Sequence, residues 1–169
     1  MMKKLYAILL IVSMVATMLT SCTKSVEEAP TVVEPPVIEE VVVEEIPTVE
    51  AILYLPNENV DGFDEKTVTL ETLDGETLLD ALIDQGVYSD EIALLSMTQE
   101  GDNLTLDLSP AFGDAASTTG TAGELMLVGS LVNTFLTAFD CQTVTLLVEG
   151  HQLETGHTIY DFPLEFFAN

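Results

Sequence analysis

The sequence predicts an α+β domain over residues 51–169, with two helices packed on one face of a small mixed or antiparallel sheet. Three observations support this class. Residues 104–108 alternate strictly between leucine and a polar residue, as a half-buried strand does. Two stretches, beginning near Asp74 and Thr121, carry apolar residues at helical spacing. The elements also follow the order strand, strand, helix, hairpin, helix, strand and tail, which groups strands around helices.

The first half of the domain predicts two strands and one helix. Residues 51–56 form an apolar strand stopped by proline, and residues 67–70 form a short strand after a turn-rich loop at 57–66. Asp74 is expected to cap a helix that continues to about residue 85 and stops at Gly86. The apolar face of this helix would consist of Leu78, Leu79, Leu82 and Ile83.

A hairpin follows, and after it a loop. Residues 93–98 and 104–108 are the predicted hairpin strands, joined by a polar turn at 100–103. Because side chains alternate across a strand, the leucines at 104, 106 and 108 share the buried face. Residues 109–120 are mostly small, and they predict a loop.

The second helix has the clearest pattern. Thr121 and Glu124 have the spacing of a capping box, which predicts a helix start at this point. The side expected to be wetter contains Ser130, Asn133, Thr134 and Thr137; for Asn133 and Thr134 a local structural hydrogen bond is favoured, with an interface role as the alternative. The expected apolar face consists of Leu125, Val128, Leu131, Val132, Phe135, Leu136 and Phe139. Residues 143–148 then predict a strand, and residues 159–167 a final strand or an extended tail.

The N-terminus predicts export. A positively charged start and an apolar stretch over residues 5–19 are typical of a secretory signal peptide. The stretch closes with Leu19, Thr20 and Ser21 before Cys22, which resembles the lipobox of bacterial lipoproteins. An uncleaved transmembrane anchor is disfavoured, because the apolar run is shorter than the roughly 20 residues that span a bilayer.

The lipobox resemblance implies a location. Residues 1–21 would be removed as a signal peptide, and Cys22 would become the acylated N-terminus, carrying palmitate-type chains. Two or more such chains are enough for stable anchoring. The resemblance therefore implies a protein attached to the cell membrane through its lipid, on the extracytoplasmic side.

Residues 22–50 predict an acidic, disordered tether. This segment contains eight glutamates and four prolines, with no glycine or aromatic residue. Proline restricts helix formation, and neighbouring glutamates repel one another, so an extended polyproline-like chain fits. At about 3.1 Å per residue the tether would reach on the order of 85 Å. It would hold the domain away from the membrane.

The mature chain would be strongly acidic. Two of the four lysines, Lys3 and Lys4, lie in the predicted signal and none of the 29 acidic residues does, so residues 22–169 carry a net charge of −27. This charge repels phosphate backbones, which excludes nucleic acid as a partner. It also repels anionic lipid headgroups. A cationic partner, or divalent cations held loosely and without specificity, would be attracted. The favoured interpretation is that the charge keeps an exported domain soluble.

Four segments, in this order, resemble the GerMN family of sporulation and germination proteins. They are ILYLP at 52–56, LTLDLSPAF at 104–112, LVNTF at 131–135 and VTLLVEG at 144–150. The resemblance implies an exported, membrane-tethered, non-catalytic module. It also implies a fold similar to the ring-building motifs of secretion and sporulation assemblies, with envelope proteins or further copies of the chain as partners.

The reactive side chains form no recognisable catalytic or metal-binding pattern. His151, Glu154 and His157 are usable zinc ligands, but their spacing is not that of a helical pair and a fourth ligand is not evident, so exposed loop histidines are expected. Asp107 and Asp114 could act as acid and base. In a chain with 29 carboxylates, however, such a pair arises by chance.

Cys141 is expected to be an inert, buried thiol. If Cys22 carries lipid, Cys141 has no disulfide partner in the chain. A reactive thiol needs nearby cations to lower its pKa, and this chain has few.

The sequence therefore predicts a binding or assembly module without enzymatic activity, cofactor or metal. A cell-wall enzyme and a small-ligand-binding lipoprotein are the alternatives.

Overall fold

The computed structural model describes residues 47–168, which form two sheets and three helices. This confirms the predicted α+β class. The domain has two sheets and three helices, however, where the sequence predicts one sheet and two helices. The first strand begins two residues before the predicted domain start at 51. In chain order the elements are β1 (Val49–Pro56), β2 (Phe63–Leu70), α1 (Gly75–Asp84), β3 (Leu94–Glu100), β4 (Asn103–Leu108), α2 (Pro110–Thr118), α3 (Gly120–Phe139), β5 (Thr143–Val148) and β6 (His151–Gln152).

Strands β1 and β2 form an antiparallel hairpin of their own. Their register runs from Val49 opposite Leu70 to Pro56 opposite Phe63. The predicted loop at 57–66 is therefore too long, because β2 already begins at Phe63. The shorter connection is closed by Asn57, whose backbone N–H donates to the Gly62 carbonyl at 2.9 Å.

The second sheet has the order β3-β4-β5-β6 and is mixed. Strands β3 and β4 form the predicted antiparallel hairpin, whereas β4 and β5 are parallel. A parallel pair needs a long crossover connection, and helices α2 and α3 provide it. The leucines at 104, 106 and 108 are all 0% exposed, which confirms the predicted buried face of β4.

Helix α1 begins and ends where its sequence predicts. The Asp74 carboxylate accepts a hydrogen bond from the Thr77 backbone N–H at 2.9 Å. This bond, together with the hydroxyls of Thr72 and Thr77, lowers the pKa of Asp74. At the other end Gly86 adopts φ +77, and its N–H donates to the Ile83 carbonyl. This is a left-handed C-terminal stop of the kind that glycine favours.

The predicted loop at 109–120 is wrong, because residues 110–118 form helix α2. Pro110 occupies a first-turn position, where its missing N–H costs nothing. Phe112 and Ala116, one turn apart, are the buried residues of this helix. With so small an apolar face, the segment has the composition of a loop although it packs as a helix.

Helix α3 lies at the centre of the domain. Val128, Leu131, Val132 and Phe135 are all 0% exposed, as predicted. The predicted position of Leu125 on the apolar face is wrong, since its side chain is 46% exposed. Among the described residues α3 is the helix that is long and apolar enough to cross a membrane, but it is mostly buried inside the domain.

The residues after β6 follow the sheet as an extended tail. Leu164 pairs with Val144 of β5 through two backbone hydrogen bonds, at 2.7 and 2.8 Å. A second isolated bridge joins Glu154 and Ile159. This agrees with the prediction of a final strand or extended tail at 159–167. We call residues 153–168 the C-terminal segment.

Gly129 allows two aromatic rings to approach α3. A Cβ at this position would overlap the ring of Phe63 and would lie 3.2 Å from Cγ of Phe167. These rings belong to β2 and to the C-terminal segment. Glycine at position 129 therefore allows both aromatic rings to pack against α3.

We expect Gly129→Ala to lower the free energy of unfolding by about 1–3 kcal/mol, the usual cost of overpacking a core. Gly156→Ala is the control, because a Cβ at that glycine meets nothing within 4 Å. Chemical denaturation of both variants measures the difference. Equal stability of the two would contradict this account of the contact.

Candidate functional site

One side of helix α3 carries buried polar residues that hold β1. The Ser130 hydroxyl donates to the Tyr54 carbonyl, and the Tyr54 N–H donates to Oγ1 of Thr134 at 3.0 Å. Both helix residues are 0% exposed, and they lie one turn apart. The prediction that this side is wetter is therefore wrong for Ser130, Asn133 and Thr134, and it is confirmed only at the exposed Thr137. The hydroxyls stand in for the neighbouring strand that β1 lacks on this edge.

Asn133 holds the C-terminal segment in the same way. Its side-chain amide donates to the Phe167 carbonyl at 2.9 Å, and its Oδ1 accepts from the Phe167 N–H at 2.7 Å. Asn133 is also 0% exposed. The sequence favours a local structural hydrogen bond for Asn133 and Thr134. Each makes a structural hydrogen bond, but with a partner 34 and 80 residues away in the chain, respectively.

Glu124 is a buried carboxylate rather than a capping residue. The helix begins at Gly120 and makes no side-chain cap bond at Thr119, so the predicted capping box is wrong. Glu124 is 2% exposed, and its Oε1 accepts from the Thr155 hydroxyl and the Tyr160 hydroxyl, both at 2.8 Å. Its Oε2 is buried without a hydrogen-bond partner among the described residues.

The donors around Glu124 stay protonated at neutral pH. Burial, followed by the bond to Glu124 and its charge, raises the pKa of Tyr160 far above its usual value near 10. The phenol therefore remains a donor to the carboxylate. Glu124 is the only charged residue in the 20 residues of α3, and that isolation is the sequence signal that could have identified it.

The C-terminal segment exposes apolar side chains although its backbone is bonded to the core. Ile159, Phe162 and Phe166 are 54%, 52% and 48% exposed. The Phe166 ring packs edge-on against Tyr54, with ring centroids 5.2 Å apart. We call the surface formed by Phe162, Pro163 and Phe166 the aromatic surface.

Two open cavities adjoin the aromatic surface. One, of about 420 Å³, is formed by the C-terminal segment itself, between Phe162 and Phe167. The other, of about 520 Å³, lies between the end of α3, the start of β5 and Phe166. Both include Glu165, so a carboxylate borders an otherwise largely apolar surface.

The candidate zinc ligands lie in β6 and in the turn after it. His151, Glu154 and His157 are all exposed. Among residues 47–168 no three histidine, cysteine or acidic side chains are grouped as a metal ion would require.

Asp107 has a structural contact. Its carboxylate accepts from the Gly150 N–H at 2.9 Å, which holds the turn between β5 and β6. Asp114 is exposed on α2. The Asp107 carboxylate therefore already accepts a backbone hydrogen bond, whereas a catalytic acid or base must be free to exchange a proton with a substrate.

Cys141 is a half-buried free thiol. Burial raises its pKa, and the charges of Asp102 and Asp140 raise it further. The thiolate that would make it reactive is thus disfavoured, in agreement with the expectation of an inert thiol.

The predicted lipid site at Cys22, with Leu19, Thr20 and Ser21, lies outside the described residues.

Together these features define a small α+β domain, built around one helix that is bonded to the first strand and to the C-terminal segment. The sequence model of the Germane family, described as sporulation and spore germination, matches residues 52–154. Because the match covers more than half of the chain, the chain belongs to this family. The resemblance drawn from the four segments is confirmed.

Solved structures with a similar fold include two bacterial proteins. A candidate lipoprotein from Clostridium perfringens is 18% identical, with a TM-score of 0.45, over 72% of this chain and 89% of that one. The tandem GerMN domains of the sporulation protein GerM from Bacillus subtilis are also 18% identical, with a TM-score of 0.47, over 71% of this chain and 44% of that one. The chain thus spans less than half of the tandem protein. The comparison with curated proteins gave no match.

We expect the two Glu124 variants to differ. Glu124→Gln keeps an oxygen that accepts from Tyr160 and Thr155, so its free energy of unfolding should stay within about 1 kcal/mol of the original. Glu124→Ala leaves the buried Tyr160 hydroxyl without its acceptor and should cost about 1–3 kcal/mol. Denaturant titration measures both. The exposed Glu154→Ala is the control, and an equal effect of the two alanine variants would contradict the assigned contacts.

Proposed function

We propose that this protein is a lipid-anchored binding or assembly module of the cell envelope that acts in sporulation or germination. Acylation of Cys22 would hold it on the extracytoplasmic side of the membrane. Residues 22–48, with seven glutamates and four prolines, would act as the spacer between lipid and domain. Membership of the Germane family supports the process, and the sequence before residue 23 supports the anchor.

The observation that carries the binding role is the aromatic surface. Monomeric soluble proteins rarely expose adjoining large apolar side chains, and such surfaces are typical of interaction sites. Here Phe162 and Phe166 are about half exposed on a domain that is otherwise strongly acidic. Aromatic residues at the centre of interfaces commonly supply much of the binding free energy.

The backbone under the aromatic surface is fixed before any partner binds. Asn133 bonds to Phe167, Val144 bonds to Leu164, and Glu124 bonds to Tyr160. These three attachments bracket Phe162 and Phe166. A surface that is already ordered loses less conformational entropy on binding, which favours a dedicated interface.

An enzymatic role has less support. Asp107 holds a turn, Asp114 is exposed, and burial raises the pKa of the Cys141 thiol. Catalysis needs a nucleophile or base oriented by a second group. Within the described residues none of these three side chains is hydrogen-bonded to another ionisable side chain, so we propose a non-catalytic module.

The anchor can be tested with the two cysteines. Cys22→Ser should abolish incorporation of labelled palmitate, since this thiol would carry the acyl chains. Cys141→Ser is the matched control and should be labelled normally. A Cys22→Ser variant that still carried the label would refute the anchor.

The binding role can be tested on the aromatic surface. A photo-reactive side chain at Pro163 should form discrete cross-linked species in cells, either with a further copy or with an envelope protein. Combined Phe162→Ser and Phe166→Ser should reduce their yield at least about tenfold, since each interface aromatic typically contributes more than about 1 kcal/mol.

The matched control for this experiment is Leu125→Ser. Leu125 is 46% exposed on α3, and it does not line either of the two cavities that adjoin the aromatic surface. The cross-links should persist in this variant. Absence of cross-links in the unmodified protein, or their survival in the double variant, would overturn the proposed role of this surface.

A further inference from the structure

A second surface lies between α1 and the edge of the four-stranded sheet. Two adjoining cavities, of about 370 and 240 Å³, share Glu76 and Leu94. Apolar side chains of Leu79, Ile83, Leu94 and Met97 line them. We call this surface the α1–β3 groove.

Carboxylates surround the groove. Asp74, Glu76, Asp80 and Asp90 line its cavities, and all four are exposed. The only lysine or arginine within residues 47–168 is Lys66, which donates to the side chain of Gln85 at the far end of α1. The groove therefore combines an apolar lining with a local negative charge that no cation of the described chain balances.

The groove runs beside an unpaired strand edge. Strand β3 is the outermost strand of its sheet, and within the described residues no hydrogen bond reaches its outer edge. A bulge between Leu94 and Ser96 interrupts the pairing and leaves Leu95 52% exposed. Regular geometry is thus confined to residues 96–100, which is long enough for a short added strand.

We propose that the α1–β3 groove binds an extended segment of a partner protein in which apolar residues and lysine or arginine take turns at every second position. The segment adds to the edge of β3 through backbone hydrogen bonds. Its apolar side chains enter the groove beneath α1, and its cations reach the carboxylates that line the same groove. A spacing of two residues places both sets of side chains on the one face of the strand that meets the groove.

The negative charge of the groove also disfavours two other occupants, a second copy of the chain and its own acidic N-terminal segment. A second copy brings to the groove a domain with a single lysine and many carboxylates, so like charges would meet. Residues 22–50 contain Lys24 but eight glutamates, and the groove would repel them too. A cationic partner strand is the occupant that the groove attracts. This proposal names the chemistry of one partner for the binding role, and it does not depend on the lipid anchor.

The test uses the full chain in detergent and a ten-residue peptide in which valine and lysine take turns at every second position, with threonine between them. Binding is measured by fluorescence anisotropy. The peptide should bind, more weakly as salt is added. A peptide with glutamate in place of lysine should not bind. A lysine peptide N-methylated at alternate amides should bind weakly, because it cannot pair with a strand edge.

Variants of the protein locate the site. Combined Glu76→Gln and Asp80→Asn should weaken the lysine peptide about tenfold, while leaving the unfolding midpoint unchanged. Glu65→Gln with Asp161→Asn makes the same change in net charge at exposed positions outside the groove and should weaken it less than about twofold.

Three results would overturn the proposal: no binding by the unmodified chain, equal weakening by the two pairs of substitutions, or undiminished binding of the N-methylated peptide. The measurement is made in solution with a defined peptide. It is therefore unaffected if Cys22 proves unmodified or if the aromatic surface proves unoccupied, and the two proposals fail separately.

Discussion

The structure depends on how helix α3 satisfies backbone groups that no strand reaches. A strand edge presents unpaired N–H and C=O groups, and burying them without partners is costly. Strand β1 pairs with β2 on one edge, and Ser130 and Thr134 bond to Tyr54 on the other. Ser130 and Thr134, one turn apart, thus supply at Tyr54 the hydrogen bonds that a third strand would supply along the whole edge. The helix that carries them must be buried on both its apolar and its polar sides.

The same helix determines the position of the C-terminal segment. Asn133 bonds to Phe167 through both of its amide atoms, and Glu124 accepts from Tyr160. Gly129 lies between these attachments and leaves space for the Phe167 ring. Buried polar groups are costly when unpaired, so they favour one arrangement of the segment over alternatives that an apolar contact would tolerate. The exposed phenylalanines are consequently presented in a defined position.

The elements that sequence reasoning predicted well have local signals. Asp74 and its bond to Thr77 lie within one turn, and the alternation of residues 104–108 is complete within five residues. The polar side of α3 has no local signal, because Tyr54 is 76 and 80 residues away from its partners Ser130 and Thr134. Glu124 matched a capping box by spacing alone, whereas its partners lie more than 30 residues later. The sequence does not predict helix α2, because its residues are mostly small and its buried face contains only Phe112 and Ala116.

Charge separates the two candidate surfaces in what they can accept. The Debye length is about 8 Å at physiological salt, so only carboxylates close to a surface affect its binding. At the aromatic surface, Asp161 and Glu165 are the nearby acidic residues in sequence, and a largely apolar contact can leave them at its edge in water. At the α1–β3 groove, four carboxylates line the cavities themselves. One carboxylate, that of Glu165, lines the cavities at the aromatic surface, so a second copy would meet less repulsion there than at the groove. The groove favours a partner that supplies positive charge.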